Sequence, residues 1–195
     1  AVGGGGGRRL RGLALGDNGI GNSTGGAAAV AQALDVLSPF LQEVNLRHNG
    51  LRAADIPVIC EVLRAAPKLE TLIIADNDFS QDPHKMWQCL SELAQVRTVD
   101  ISGNRMFAVE DQPLENELAV AMEGMRKLES LFIQGNHIRL DTVYDLLDHV
   151  EELKDNDATN LRFVHLRGAV PVQGDLIARD DLVTLKNTFV WTVVV

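Results

Sequence analysis

The sequence has few cysteines and no long apolar run. Only two cysteines, Cys60 and Cys89, occur in 195 residues, which is too few for a disulfide framework or a four-thiolate metal site. No apolar run approaches the roughly 18 residues that a membrane helix needs, and no charged and apolar leader opens the sequence. We therefore expect two unpaired, buried cysteines and a protein of the cytoplasm or another intracellular reducing compartment.

Basic side chains are also under-represented, with 18 Lys and Arg against 27 Asp and Glu, for a net charge of −9. Such a chain repels phosphate backbones, so nucleic acid is not expected as a partner. The five histidines show no spacing typical of metal ligands. No Ser, His and Asp pattern indicates a nucleophile. We expect no catalytic residue, no metal and no cofactor.

What the sequence does contain is an internal repeat. Each copy reads aliphatic, two variable, aliphatic, one variable, aliphatic, two variable, Asn, one variable, apolar. The five complete copies begin at Leu10, Leu41, Leu69, Val96 and Leu128, and their asparagines are Asn18, Asn49, Asn77, Asn104 and Asn136. A sixth copy, from Leu161, lacks the Asn. Repeats should be sought before motifs, because a missed repeat leads to the wrong fold.

Each part of the repeat has a structural interpretation. The alternating aliphatic pair, such as Leu13 and Leu15, has the period of a short strand. Between copies the apolar residues recur at helical spacing, most clearly at Val143, Leu147 and Val150. An Asn side chain bonds backbone groups of its own turn and of its neighbour. The five asparagines are therefore predicted to form a buried ladder that joins successive turns.

This strand and helix, repeated about every 28 residues, resembles the leucine-rich-repeat family, specifically its ribonuclease-inhibitor-like class with long helical repeats. The resemblance covers residues 10 to about 171. It implies an α/β solenoid of about six repeats, with a curved parallel sheet on the concave face and helices on the convex face. It also implies protein partners, since most members of the family bind other proteins on the concave face.

The ends of the chain lack the repeat pattern. Residues 1–9 contain Gly3–Gly7 and are predicted to be a flexible tail. Residues 10–172 form the predicted repeat domain, and residues 173–195 a C-terminal cap or tail whose β-prone end, residues 189–195, is expected to be an edge strand. The segment Gly16–Ser23 is close to a phosphate-binding loop but has Asn22 where that motif needs Lys, so nucleotide binding is not expected.

Strand alternation predicts which side chains face away from the helices. Apolar and charged residues come together among them in the C-terminal half, a combination typical of interface hot spots. The predicted binding residues are Arg47, Ile73, Asp100, Phe132, Gln134, Phe163, His165 and Arg167.

These patterns favour a non-catalytic interaction scaffold or adaptor, one subunit of a larger assembly. One alternative is a regulator of an enzyme, such as a GTPase-activating or inhibitory module, although no Arg stands out as a catalytic finger. Another is a fragment of a receptor or cytoskeletal protein whose effector domain is missing.

Overall fold

In a computed structural model, residues 10–107, 115–138, 140–166 and 192–194 are described. Strands and helices alternate along the described residues up to residue 166. The strands are β1 (Gly12–Ala14), β2 (Glu43–Asn45), β3 (Thr71–Ile73), β4 (Thr98–Asp100), β5 (Ser130–Phe132), β6 (Phe163–His165) and β7 (Thr192–Val194). The helices are α1 (Gly26–Leu37), α2 (Ile56–Arg64), α3 (His84–Ser91), α4 (Glu115–Gly124) and α5 (Leu140–Asp155). Single 3₁₀ turns at Ile20–Asn22 and Ala53–Asp55 precede α1 and α2.

The seven strands form one parallel sheet in the order of the sequence. Each strand pairs with the next so that equivalent positions of the repeat lie side by side, as Leu72 does with Val99 and Val99 with Leu131. This register is what the repeat pattern predicts. The last strand, β7, lies at the sheet edge beside β6, as its β-prone sequence indicates.

The core lies between the sheet and the helices. The central residues of β2 to β6 are completely buried, as are most aliphatic residues that begin each copy of the repeat. The apolar stripe of α5 is also buried, with Val143, Leu147 and Val150 inaccessible to solvent. Burial on one strand face and one helix stripe explains why the sequence alternates between periods of two and of about 3.6.

The cysteines differ from the expectation. Cys60 on α2 and Cys89 on α3 are both buried, as predicted, but they form a disulfide bond across a Cα–Cα distance of 5.6 Å. The prediction of two unpaired cysteines was therefore wrong. The two cysteines pair because they occupy nearly the same place in successive repeats, so stacking of the repeats brings them together. The boundaries at residues 9 and 172 lie next to or within undescribed residues and stay predictions.

Candidate functional site

The sheet presents one residue from the end of each strand on its concave face. Pairing aligns these six residues into what we call the concave row: Ala14, Asn45, Ile73, Asp100, Phe132 and His165. The strand residue before each member points inward, so Leu131, next to Phe132, is completely buried. Ile73, Asp100, Phe132 and His165 are half-buried and keep contact with solvent. Their orientation therefore follows the predicted alternation.

Three side chains at the C-terminal end of this face form what we call the aromatic cluster, Phe132, Phe163 and His165. The His165 ring stacks on Phe132 with centroids 3.8 Å apart and planes 5° from parallel. Phe163 lies 6.5 Å from His165 at 32°, and 40% of its surface is exposed. An exposed phenylalanine beside a stacked pair leaves apolar area available to a partner, because aromatic rings dominate the energetics of interfaces.

The aromatic cluster affects the charge of its histidine. Burial against the rings lowers the pKa of His165 below its usual 6.5, because a partly desolvated imidazole holds its proton less well. Asp100 on the neighbouring strand acts in the opposite direction and raises the pKa by Coulomb attraction. The lowering by burial prevails, so His165 is neutral at pH 7 and presents an uncharged ring.

Asp100 is held in place by the turn that follows its own strand. Its Oδ1 accepts hydrogen bonds from the backbone N–H of Ser102 at 3.0 Å and from the Ser102 hydroxyl at 2.5 Å. The carboxylate therefore has a fixed position next to Phe132, its neighbour across the strand pair. It is the acidic group nearest the aromatic cluster along the concave row.

The other predicted binding residues are less closely grouped. Ile73 pairs with Asp100 on the next strand. Arg47 is exposed but forms an ion pair with Asp76, with 2.6 Å between nitrogen and oxygen, which draws it toward the turn after β3. Gln134 is half-buried beyond Phe132. Arg167 lies outside the described residues. The structure therefore brings Asp100, Phe132, Phe163 and His165 together, with Ile73 beside them.

The predicted asparagine ladder is present and has a structural role. In each step the backbone N–H of one ladder Asn donates to Oδ1 of the next, at 3.0 Å in all four steps from Asn18 to Asn136. Asn49, Asn77, Asn104 and Asn136 are buried, whereas Asn18 in the first turn is exposed. The buried amides bond the carbonyls of their own and the preceding turn, so they are not available to a ligand.

The repeat pattern alone does not reveal a cleft of about 380 Å³ that lies where the first three strands end. Asp17, Asp76 and Asp78 line it together with His48, which contacts Asp17 at 2.5 Å. Asp17, His48 and Asp76 precede ladder asparagines and adopt left-handed backbone conformations, so their place in the repeat is the signal that marks them. The carboxylates of Asp17, Asp76 and Asp78 disfavour a phosphate ligand in the cleft. The neighbouring segment Gly16–Ser23, which is close to a phosphate-binding loop in sequence, forms part of the repeat stack, because the Gly21 N–H donates to the Asn49 carbonyl at 2.9 Å.

The described residues include no group of three or more His, Cys, Asp and Glu side chains placed to hold a metal ion. Among the helices they form, none is long and apolar enough to cross a membrane. The aromatic cluster and its acidic neighbour therefore stand as the candidate site in the described residues.

Comparison with known proteins locates the fold. No family model and no curated protein matches the chain. Among solved structures, the chain is similar to a tropomodulin C-terminal domain from Caenorhabditis elegans, with 11% identity and a TM-score of 0.57 over 75% of this chain and 86% of that one. It is also similar to the leucine-rich-repeat-containing protein LegL7 from Legionella pneumophila, with 16% identity and a TM-score of 0.52 over 80% of this chain and 47% of that one. It thus spans about half of LegL7.

Likeness at such low identity establishes architecture alone. Together with the parallel sheet, the outer helices and the asparagine ladder, it shows that this chain folds as a leucine-rich-repeat solenoid.

Proposed function

We propose that the protein is a non-catalytic interaction module, a scaffold or adaptor within a larger assembly, that binds a protein partner on its concave face. The repeats belong, in this proposal, to the ribonuclease-inhibitor-like class, because long helices follow the strands. The observation that carries the proposal is the aromatic cluster. Phe163 is 40% exposed beside the stacked Phe132 and His165 on a face that the fold does not need to keep apolar.

Part of the surface of the aromatic cluster stays in contact with water. Burial of apolar surface is worth about 25 cal/mol per Å², so a partner that covers these rings gains free energy that folding leaves unused. A neutral His165 costs little to desolvate further, whereas an imidazolium would cost more. Asp100 at the edge of the aromatic cluster offers a fixed hydrogen-bond acceptor that selects for a donor on the partner.

Site-specific photocrosslinking in the native source tests the proposal. A photoreactive phenylalanine analogue replaces Phe163 in one variant. In the control it replaces Val36, a residue of α1 that is 76% exposed. We expect a discrete crosslinked protein from position 163, and its loss when Phe132→Ala is added. Equal crosslinking at both positions, or none at 163, would contradict the assignment of this face.

A further inference from the structure

A groove of about 240 Å³ lies on the convex side of the solenoid, between α2 and α3. Its lining residues occupy positions i, i+3, i+4 and i+7 on each helix, counted from Pro57 on α2 and from Lys85 on α3. Residues at this spacing share one face of a helix, so two matching helix faces form the walls. The Cys60–Cys89 disulfide joins the walls near their middle. We call this site the convex groove.

The disulfide forms the floor of the convex groove. Cys60 is 7% exposed and Cys89 is 4% exposed. In contrast, the groove residues Glu61, Arg64 and Gln88 are exposed and form its rim. A reagent that reaches the sulfur atoms from solvent must therefore be small enough to enter between the two helices.

Charged side chains lie on both sides of the disulfide along the convex groove. Cys60 and Cys89 are separated by 29 residues, and the ion-paired Arg64 and Glu92 by 28. These equal offsets show that α2 and α3 run in the same direction. Lys85 therefore lies at the N-terminal end of the groove, and Arg64 lies at the C-terminal end with Glu92 at 2.9 Å.

The cations at both ends are accessible to a ligand. The Lys85 ammonium contacts Asp82 at 3.1 Å, but 41% of the Lys85 side chain is exposed, and 54% of the Arg64 side chain is exposed. Because exposed ion pairs contribute little free energy, a carboxylate of a ligand can replace either partner. Glu61, on the α2 wall, offers a carboxylate to an ammonium group.

We propose that the convex groove binds a tripeptide thiol of the glutathione class, whose thiolate exchanges with the Cys60–Cys89 disulfide. The lining positions span seven residues of each helix, about 10 Å, and an extended tripeptide spans about 10 Å as well. Glutathione carries its sulfur in the middle, one carboxylate at one end, and a carboxylate with an ammonium group at the other. Lys85 suits the first end, and Arg64 with Glu61 suits the second.

Thiol–disulfide exchange in the convex groove needs no reactant besides this thiol. The thiolate attacks one cysteine Sγ and forms a new S–S bond as the Cys60–Cys89 bond breaks, and the other Sγ leaves as a thiolate that takes a proton from water. The ligand sulfur is oxidised and the leaving sulfur is reduced. Arg64 lies one turn from Cys60, and Lys85 one turn from Cys89. A cation near the leaving thiolate stabilises it and favours its departure.

Exchange kinetics under native conditions test the proposal. The oxidised chain is incubated with glutathione or, separately, with mercaptoethanol, a thiol that has no other charged group. Mass spectrometry after acid quenching follows the mixed disulfide that each thiol forms with the chain. Rates are compared per thiolate, because the thiolate is the nucleophile. We expect glutathione to react faster than mercaptoethanol by about tenfold or more, since complementary charges raise association rates.

Charge variants show whether the convex groove causes this preference. Lys85→Gln and Arg64→Gln should each reduce the preference for glutathione by about threefold. Lys127→Gln is the matched control, because it removes the same charge from an exposed residue outside the groove, and it should keep the preference. Equal rates per thiolate for the two thiols, or the same preference in all three variants, would overturn the proposal.

The dependence on denaturant provides a second measurement. In the proposal the sulfur atoms react in the folded protein, so low concentrations of urea should change the rate with glutathione little. A rate that rises with urea in proportion to the unfolded fraction would show that the sulfur atoms are reached only when α2 and α3 separate. That result would also overturn the proposal.

Discussion

The imidazole of His165 lies parallel to the ring of Phe132, with 3.8 Å between the ring centroids, and joins two neighbouring strands on the concave face. The contact lies outside the core, because the buried residues of the two strands are Leu131 and Val164. Two adjacent positions, Leu131 and Phe132, therefore serve different purposes: one stabilises the solenoid and the other shapes a surface.

The first prediction separates these purposes. Phe132→Ala should weaken binding of the crosslinked partner by about thirtyfold, since truncating an anchor of this kind typically costs about 2 kcal/mol, and should change the melting temperature little. Leu131→Ala should instead destabilise the fold by about 2–5 kcal/mol through the cavity it leaves. Partner titration and chemical denaturation measure the two effects. If Phe132→Ala unfolds the protein as readily as Leu131→Ala, the concave surface is assigned incorrectly.

The second prediction concerns pH. The folded pKa of His165 is lowered, first by burial, so the unfolded chain binds a proton more readily than the folded one. The contribution of His165 to the free energy of unfolding is fully present above its usual pKa of 6.5, and it is lost as pH falls from 6.5 through the pKa of the folded state. Denaturation midpoints at a series of pH values should show this loss, and it should be absent in His165→Gln.

Asp100 offers an independent check on that pKa. It raises the pKa of His165 by Coulomb attraction, so Asp100→Asn should lower that pKa further. An NMR titration of the His165 ring protons follows the change directly. A higher pKa in Asp100→Asn would show that the two groups do not interact as described.

The third prediction concerns the asparagine ladder. Asn77 Oδ1 accepts the N–H groups of Asn49 and Leu51, both at 3.0 Å, and its amide donates to carbonyls that include those of Leu46 and Ile74. Asn77→Ala leaves buried groups unpaired and should cost at least about 1–3 kcal/mol. Asn18→Ala is the matched control, because Asn18 is exposed, and it should cost less. Equal thermal shifts for the two variants would contradict the role of burial.

The fourth prediction concerns the disulfide. Cys60 and Cys89 are separated by 29 residues, and closing a loop of that size stabilises a protein by about 3–4 kcal/mol in the chain-entropy model. Reductant should therefore lower the melting temperature of the native protein. The double variant Cys60→Ala and Cys89→Ala should melt at the same temperature with and without reductant. The cellular compartment itself stays a prediction.

Much of the fold could be predicted because the repeat encodes it locally. Leu72 and Leu131 identify buried strand positions, and copies at similar spacing align those strands. The aromatic cluster was only partly predictable. Alternation places Phe132 and His165 on one face, but ring stacking and the lowered pKa depend on side-chain rotamers and on the distance between strands. The number of cysteines does not reveal the disulfide, because the bond depends on the equivalent places of Cys60 and Cys89 in α2 and α3.

Strand register and helix length are governed separately in this molecule. The four hydrogen bonds that join the ladder asparagines from Asn18 to Asn136 all have the same N–H···Oδ1 donor–acceptor distance of 3.0 Å, whereas the helices range from 8 residues in α3 to 16 in α5. Insertions and deletions can therefore accumulate on the convex side without displacing the concave residues. During evolution, such a protein can change its convex surface and the contacts of that surface while Phe132 and His165 keep their relative positions.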